Sequence, residues 1–241
     1  MNSRFRVLAD KEAAARAAGD DLLRSLRSAL DHRDTATCAL SGGSTPALMF
    51  RHLAAQDFAW DRVHFFWVDE RRVGPDHADS NYGAAKAALL DPLGISESQV
   101  HRIEGEREPV DAADRYASEL REFFGLSAGG MPPFDVLHLG MGADAHTASL
   151  FPQEPLIQDR AGVAASVYSV SRASYRVTLL PGAILSARRI LFLVTGDDKR
   201  STLKKVVEGE YDPSARPVQL FDREGKDVAW FLDRAAAEDL A

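Results

Sequence analysis

FDVLHLGMGADAHTASLFP, residues 134–152, changes character halfway along. Residues 134–139 are an apolar run of the length of a buried strand. The run breaks at Gly140 and Gly142, and polar groups follow at once: Asp144, His146, Thr147 and Ser149, with Pro152 closing the segment. In open α/β sheets, ligands bind just outside the carboxyl ends of strands. A histidine set there between an acid and hydroxyls is placed for acid–base work. The competing reading is a plain strand-to-helix connection, with a capping Asp and a satisfied His. Two other strand ends in the chain show the same polar crowding, and that favours the functional reading.

Working outward, short apolar runs alternate with segments of helical periodicity. Strands are expected at 4–9, 35–40, 63–68, 100–103, 163–170, 176–180, 189–194 and 228–232. Helices are expected at 11–30, 47–54, 80–90, 110–124, 181–187 and 198–208, with a polar helix at the tail. Thr45 is the expected N-cap of the second helix and Pro46 its first residue. Such alternation implies a mostly parallel sheet with right-handed crossovers. The two strands at 163–170 and 176–180 lie close in sequence and suggest a small hairpin-like insertion after the central motif. No repeat or domain boundary is visible, so 1–241 reads as one α/β domain.

The 241 residues are 45% hydrophobic and 27% charged, enough to cover both faces of a central sheet. Net charge is −7, which disfavours nucleic acid as a partner and obliges any anion site to be built locally. The lone Cys38 excludes an internal disulfide and a thiolate zinc site. No membrane span and no signal-type apolar core appear, so a cytoplasmic location is expected.

Three further motifs sit at strand ends. Ser41-Gly42-Gly43-Ser44-Thr45-Pro46 joins glycines to a helix start, a surface that can donate N–H groups to an anion; its other reading is a tight turn with an ordinary cap. Asp69-Glu70-Arg71 follows an aromatic strand, and an arginine there can grip phosphate or carboxylate through a fork. The alternative is a surface ion pair. Lys199, after Gly196, can reach an anion at the same edge or simply be solvated. The glycines at 140 and 142 match the spacing of a dinucleotide turn, but Pro152 and Pro155 deny the long helix that such a site needs. His138 reads as a strand residue, and His32, His52, His64, His77 and His101 as surface or loop positions without ligand-like clustering.

Taken together, ALSGGSTP (39–46), VDER (68–71), DSNY (79–82), GMGADAHTASLFP (140–152), RVTL (176–179) and VTGDDK (194–199) resemble the 6-phosphogluconolactonase family, in its order and over most of the chain. The HTASLFP part is specific; the glycine turn and the Asp-Glu pair are shared with related sugar-phosphate isomerases and deaminases. The resemblance implies a Rossmann-like fold and a hydrolase that opens the δ-lactone of 6-phosphogluconate, acting as a monomer or weak dimer without metal or organic cofactor. It implies His146 as general base, oriented by Asp144, with Gly43, Ser44, Thr45, Asp69, Arg71, Asn81, Arg176 and Lys199 binding the substrate and its phosphate. A deaminase of glucosamine 6-phosphate, with Asp69 as carbon base, and a non-catalytic sugar-phosphate sensor are the other readings. One position departs from the family pattern: Ala145 stands where that pattern has Gly. If φ is positive there, alanine is strained by roughly 1 kcal/mol or more.

Overall fold

The computed structural model describes residues 4–170 and 173–240; positions 1–3, 171–172 and 241, which the expected domain also spans, lie outside the described residues. Among the described residues, ten strands form two sheets. The main sheet holds β1 (Phe5–Leu8), β2 (Ala36–Leu40), β3 (Val63–Trp67), β5 (Val100–His101), β6 (Val136–Leu139), β9 (Ile190–Val194) and β10 (Val228–Asp233) in the order β1-β10-β9-β6-β2-β3-β5. Every neighbouring pair is parallel. The second sheet is antiparallel, with β4 (Asp69–Arg71) beside β8 (Ser174–Leu179) and β8 beside β7 (Ala164–Ser169).

The helices are α1 (Lys11–Leu30), α2 (Ser44–Ala54), α3 (Asn81–Ala85), α4 (Asp91–Leu93), α5 (Pro109–Phe123), α6 (Pro181–Ser186), α7 (Arg200–Glu208), α8 (Val218–Glu224) and α9 (Arg234–Ala237). α1 starts where the Asp10 side chain accepts from Ala13 N, and it buries Ala14, Ala15, Ala18, Leu22, Leu23 and Leu26 against α2 and the strands β10, β9 and β2. α5 packs on β7 and β8, so it covers the second sheet. Its Tyr116 hydroxyl donates to Trp67 O at 2.7 Å and thereby also holds the end of β3. β2, β6 and β9 are buried along their whole length, as strands with covered faces must be. The core is continuous and rich in rings, with Phe192 stacked on Trp230 at 4.2 Å and Phe66 meeting Phe123, Phe124 and Phe134.

Four local readings need correction. First, the second sheet is more than a hairpin after the central motif. The chain leaves the main sheet at Val68, whose N–H goes to Leu40 O while its C=O accepts from Leu179 N, and the next three residues pair with β8. Three residues are too few to show a strand period. Second, α2 begins at Ser44, not after a Thr45 cap; the residue before it is Gly43, with φ 127, and the Thr45 hydroxyl is instead 2.7 Å from the Thr195 hydroxyl. Third, the expected helix over 80–90 passes from α3 into a π-helical turn, Lys86–Leu90, and α8 carries a helix that the periodicity did not announce. Fourth, His64 and His101 are not surface residues. They are half-buried, 3.0 Å apart through Nδ1 and Nε2, and His101 stacks on Phe66 at 4.3 Å while meeting Glu119 at 2.8 Å.

Candidate active site

Because β2, β3, β6 and β9 are parallel, their carboxyl ends lie along one edge. The loops leaving that edge carry Ser41–Thr45, Asp69–Arg71, Gly140–Ser149 and Thr195–Lys199. Two adjoining cavities open among them. The inner one, about 150 Å³, is lined by Ser41, Gly42, Asp69, Arg71, Asn81, Met141, His146 and Arg176 among others. The outer one, about 320 Å³, adds Val73, Asp79, Phe151 and Ser174 and shares Arg71, His146 and Arg176. A larger groove of about 640 Å³ beside α5, lined by Arg102, Glu104, Arg115 and Glu119, includes none of the residues singled out in the sequence.

The loop after β6 is tightly bound, which is why a segment without helix or strand can place a side chain. Thr147 Oγ1 donates to Gly140 O at 2.7 Å, and Gly142 N donates to His146 O at 2.8 Å. α7 and α8 hold the outside: Thr202 Oγ1 donates to Ala143 O at 2.6 Å and Val218 N to Ala145 O at 3.2 Å. Ala145 turns with φ 68, so the alanine occupies a left-handed position that costs it conformational energy. Gly142 is required for a different reason: a Cβ there would fall 2.1 Å from His146 Nδ1.

That turn directs His146 at the cavities. Its Nδ1 is 2.5 Å from Asp144 Oδ1, and its ring lies 4.9 Å from that of Phe151. A carboxylate at Nδ1 favours the tautomer with its proton on Nδ1, in which Nε2 is the acceptor that faces a ligand. Burial raises the Asp144 carboxyl, but the hydrogen bond and charge of His146 outweigh it and hold the group at about 2. Asp144 is therefore ionised at neutral pH.

Across the cavity, Arg71 and Arg176 are directly paired on β4 and β8. Like charges in register repel, so an anion between them would relieve the pair. Arg71 Nη1 donates to Asp79 O, which keeps the side chain turned along the loop that follows. Asp69 is buried and both its carboxylate oxygens are used: Ser149 Oγ donates to Oδ2 at 2.6 Å, and Asn81 Nδ2 reaches Oδ1 at 3.2 Å and the Asp69 carbonyl at 2.7 Å.

The structure thus brings Asp69, Arg71, Asn81, His146 and Arg176 to one place, with Asp144 behind His146. Gly43, Ser44, Thr45 and Lys199 line neither cavity. They share the edge as a separate group: the α2 start has no side-chain cap, Thr45 meets Thr195, and Lys199 Nζ is 2.8 Å from Asp198. Ser41, Gly42, Asp79 and Phe151 belong to the quoted motifs but were not singled out within them. Ser174 had no sequence signal, since only the pairing of β8 with β4 carries it to the site. Among the described residues, no cluster of three or more His, Cys, Asp or Glu is placed to hold a metal, and no helix is long and apolar enough to cross a membrane.

Comparison with known proteins places this edge in context. The family described as glucosamine-6-phosphate isomerases/6-phosphogluconolactonase matches residues 9–230. A curated 6-phosphogluconolactonase from Nostoc sp. is 36% identical over 242 residues, covering 100% of both chains. One from Synechocystis sp. is 38% identical over 215 residues, 88% of each chain. The solved 6-phosphogluconolactonase from Trypanosoma cruzi superposes with a TM-score of 0.87 at 26% identity, covering 100% of this chain and 97% of that one. Sequence and fold agree over the whole described length, and the chain belongs to the glucosamine-6-phosphate isomerase/6-phosphogluconolactonase family.

Proposed function

We propose that the protein hydrolyses 6-phospho-D-glucono-1,5-lactone to 6-phosphogluconate, the lactonase step of the oxidative pentose phosphate route, with His146 as general base. One observation carries this reading: a histidine whose Nδ1 is held by an ionised Asp144 lies at a cavity flanked by two arginines. Identity of 36% with a curated lactonase along the entire chain supports the same substrate class.

In this mechanism His146 Nε2 takes a proton from water as the oxygen attacks the lactone carbonyl. Asp144 fixes the tautomer and stabilises the imidazolium that forms. The proton then passes to the ring oxygen as the carbon–oxygen bond breaks, leaving the open acid. A general base contributes about 10²–10⁴ in rate, which is sufficient for a lactone that also opens spontaneously. Arg71 and Arg176, which line both cavities, supply positive charge for the phosphate or for the developing oxyanion. Ser44, Thr45 and Lys199 form a second donor group along the same sheet edge. The chain acts as one domain over 1–241, since the groups named here are drawn from residues 41 through 199, and its assembly is a monomer or weak dimer in the cytoplasm.

Acid release from the lactone, corrected for the spontaneous reaction, tests the proposal. His146→Ala is expected to lose most of the activity while still binding 6-phosphogluconate. Retention of more than about a tenth of the rate would rule out a general base there. Ammonia release from glucosamine 6-phosphate is the counter-assay, and turnover there instead would assign the chain to the deaminase branch.

A further inference from the structure

We propose that Glu70 is a positioning residue: it closes the neck of the loop over 72–79 and so holds Arg71 and Asn81 at the cavity. Side chains alternate along a strand, so Asp69 and Arg71 point one way and Glu70 the other. Glu70 does not line either cavity. It is buried, with 2% exposure, and its carboxylate accepts four hydrogen bonds. Oε1 accepts from Arg71 N and from Asn81 N, each at 2.8 Å. Oε2 accepts from Tyr82 N at 2.8 Å and from Ser80 Oγ at 3.0 Å.

All four donors belong to the two ends of one loop. On one side is Arg71, the last residue of β4; on the other are Ser80, Asn81 and Tyr82, where α3 begins. Buried charge is costly unless every lone pair is used, so this carboxylate is bound to the arrangement that satisfies it. It meets the free N–H groups of a helix start, where negative charge is favoured. Of the three residues whose backbone N–H groups it holds, two reach the site from this side: Arg71 lines both cavities, and Asn81 donates to Asp69. An amide in place of the carboxylate would turn at least one N–H toward a backbone donor and open the neck.

The kinetic readout rests on the proposed lactonase activity. Glu70→Gln, Arg71→Ala and the double variant are compared in hydrolysis of the phosphorylated lactone, with thermal melts alongside. Glu70→Gln is expected to raise KM about 10-fold with kcat changed less than about 3-fold, because the chemistry at His146 is intact and the binding geometry is not. With Arg71 already replaced, the same change should raise KM less than about 3-fold. Additive effects, or an unchanged KM in Glu70→Gln, would overturn the proposal. If Glu70→Gln does not fold, Ser80→Ala keeps the carboxylate and removes one donor; a smaller KM rise that vanishes in the Arg71→Ala background supports the clasp, and an additive or absent one refutes it. If the wild-type protein does not open the lactone, the functional reading fails by itself and the clasp is read by amide exchange. There the Asn81 and Tyr82 N–H groups should exchange at least about 10-fold faster in Glu70→Gln, with β2 unaffected. Equal protection in both proteins would refute the clasp.

Discussion

Ala145→Gly is a substitution whose outcome depends on one backbone angle. Ala145 has φ 68 and is 1% exposed, immediately before the proposed general base. Releasing an alanine from the left-handed region is worth about 1–2 kcal/mol. Against this, the buried methyl group is lost, about 0.8 kcal/mol. Glycine also frees the unfolded chain, a further cost of about 0.4–1 kcal/mol. The three terms cancel to within about 1 kcal/mol, and for a chain of this size that is a shift in melting midpoint of no more than about 2–4 °C. Ala18→Gly in α1 is the control, because Ala18 is fully buried but sits in a regular helix. It loses the same methyl and about 1 kcal/mol of helix propensity, so its midpoint should fall by about 4–8 °C. Thermal melts of the two variants side by side isolate the backbone term. If Ala145→Gly falls as far as Ala18→Gly, the alanine is not strained and the reasoning fails. Lactonase kcat in Ala145→Gly should stay within about 3-fold of wild type, since the Asp144–His146 contact and the Gly142 floor remain.

Asp144→Asn keeps an acceptor for His146 Nδ1 but removes the charge, and kcat at neutral pH should fall about 10- to 100-fold with KM little changed; an unchanged kcat would mean that Asp144 only shapes the turn. The depressed Asp144 carboxyl also sets a pH window: its contribution is complete above the ordinary value of 3.8 and is lost as pH falls toward about 2, so urea midpoints of wild type and Asp144→Asn should converge only in that acid range. Arg71→Ala should raise KM for the phosphorylated lactone by about 10- to 100-fold and much less for glucono-δ-lactone, and an equal effect on both would place Arg71 at the carbonyl instead. His138 is fully buried on β6, accepts from Ser41 N at 3.3 Å, and burial pushes it down to about 3. The unfolded chain therefore binds a proton that the fold refuses, so stability should drop by about 1.4 kcal/mol per pH unit below the ordinary histidine value, a slope that His138→Asn should flatten in urea titrations.

The parallel architecture was legible because most main-sheet strands are short, largely apolar runs closed by polar or glycine residues, and that pattern depends only on local sequence. Ser41–Pro46, Asp69–Arg71, Asp144–His146 and Thr195–Lys199 were legible as groups for the same reason: each abuts the end of such a run. What joined them was decided elsewhere. β4 is three residues long, and it exists because Val68 bridges Leu40 and Leu179 and hands the chain to β8. Only that transfer sets Arg71 opposite Arg176 and brings Ser174 to the outer cavity. His64 and His101 look like separate surface or loop histidines until β3 and β5 pair and seat His101 against Phe66 and Glu119 with His64 beside it. In the sequence Glu70 is only the neighbour of Asp69 and Arg71 in a polar strand end, yet strand alternation turns it from the cavity to the start of α3. The sign of φ at Ala145 also lay beyond the sequence, since the loop is held by bonds to Gly140, α7 and α8. Local pattern determined where polar groups leave the sheet; register between distant strands decided which of them face one another, because hydrogen-bond pairing over long sequence separations has no signature in the residues of either strand alone.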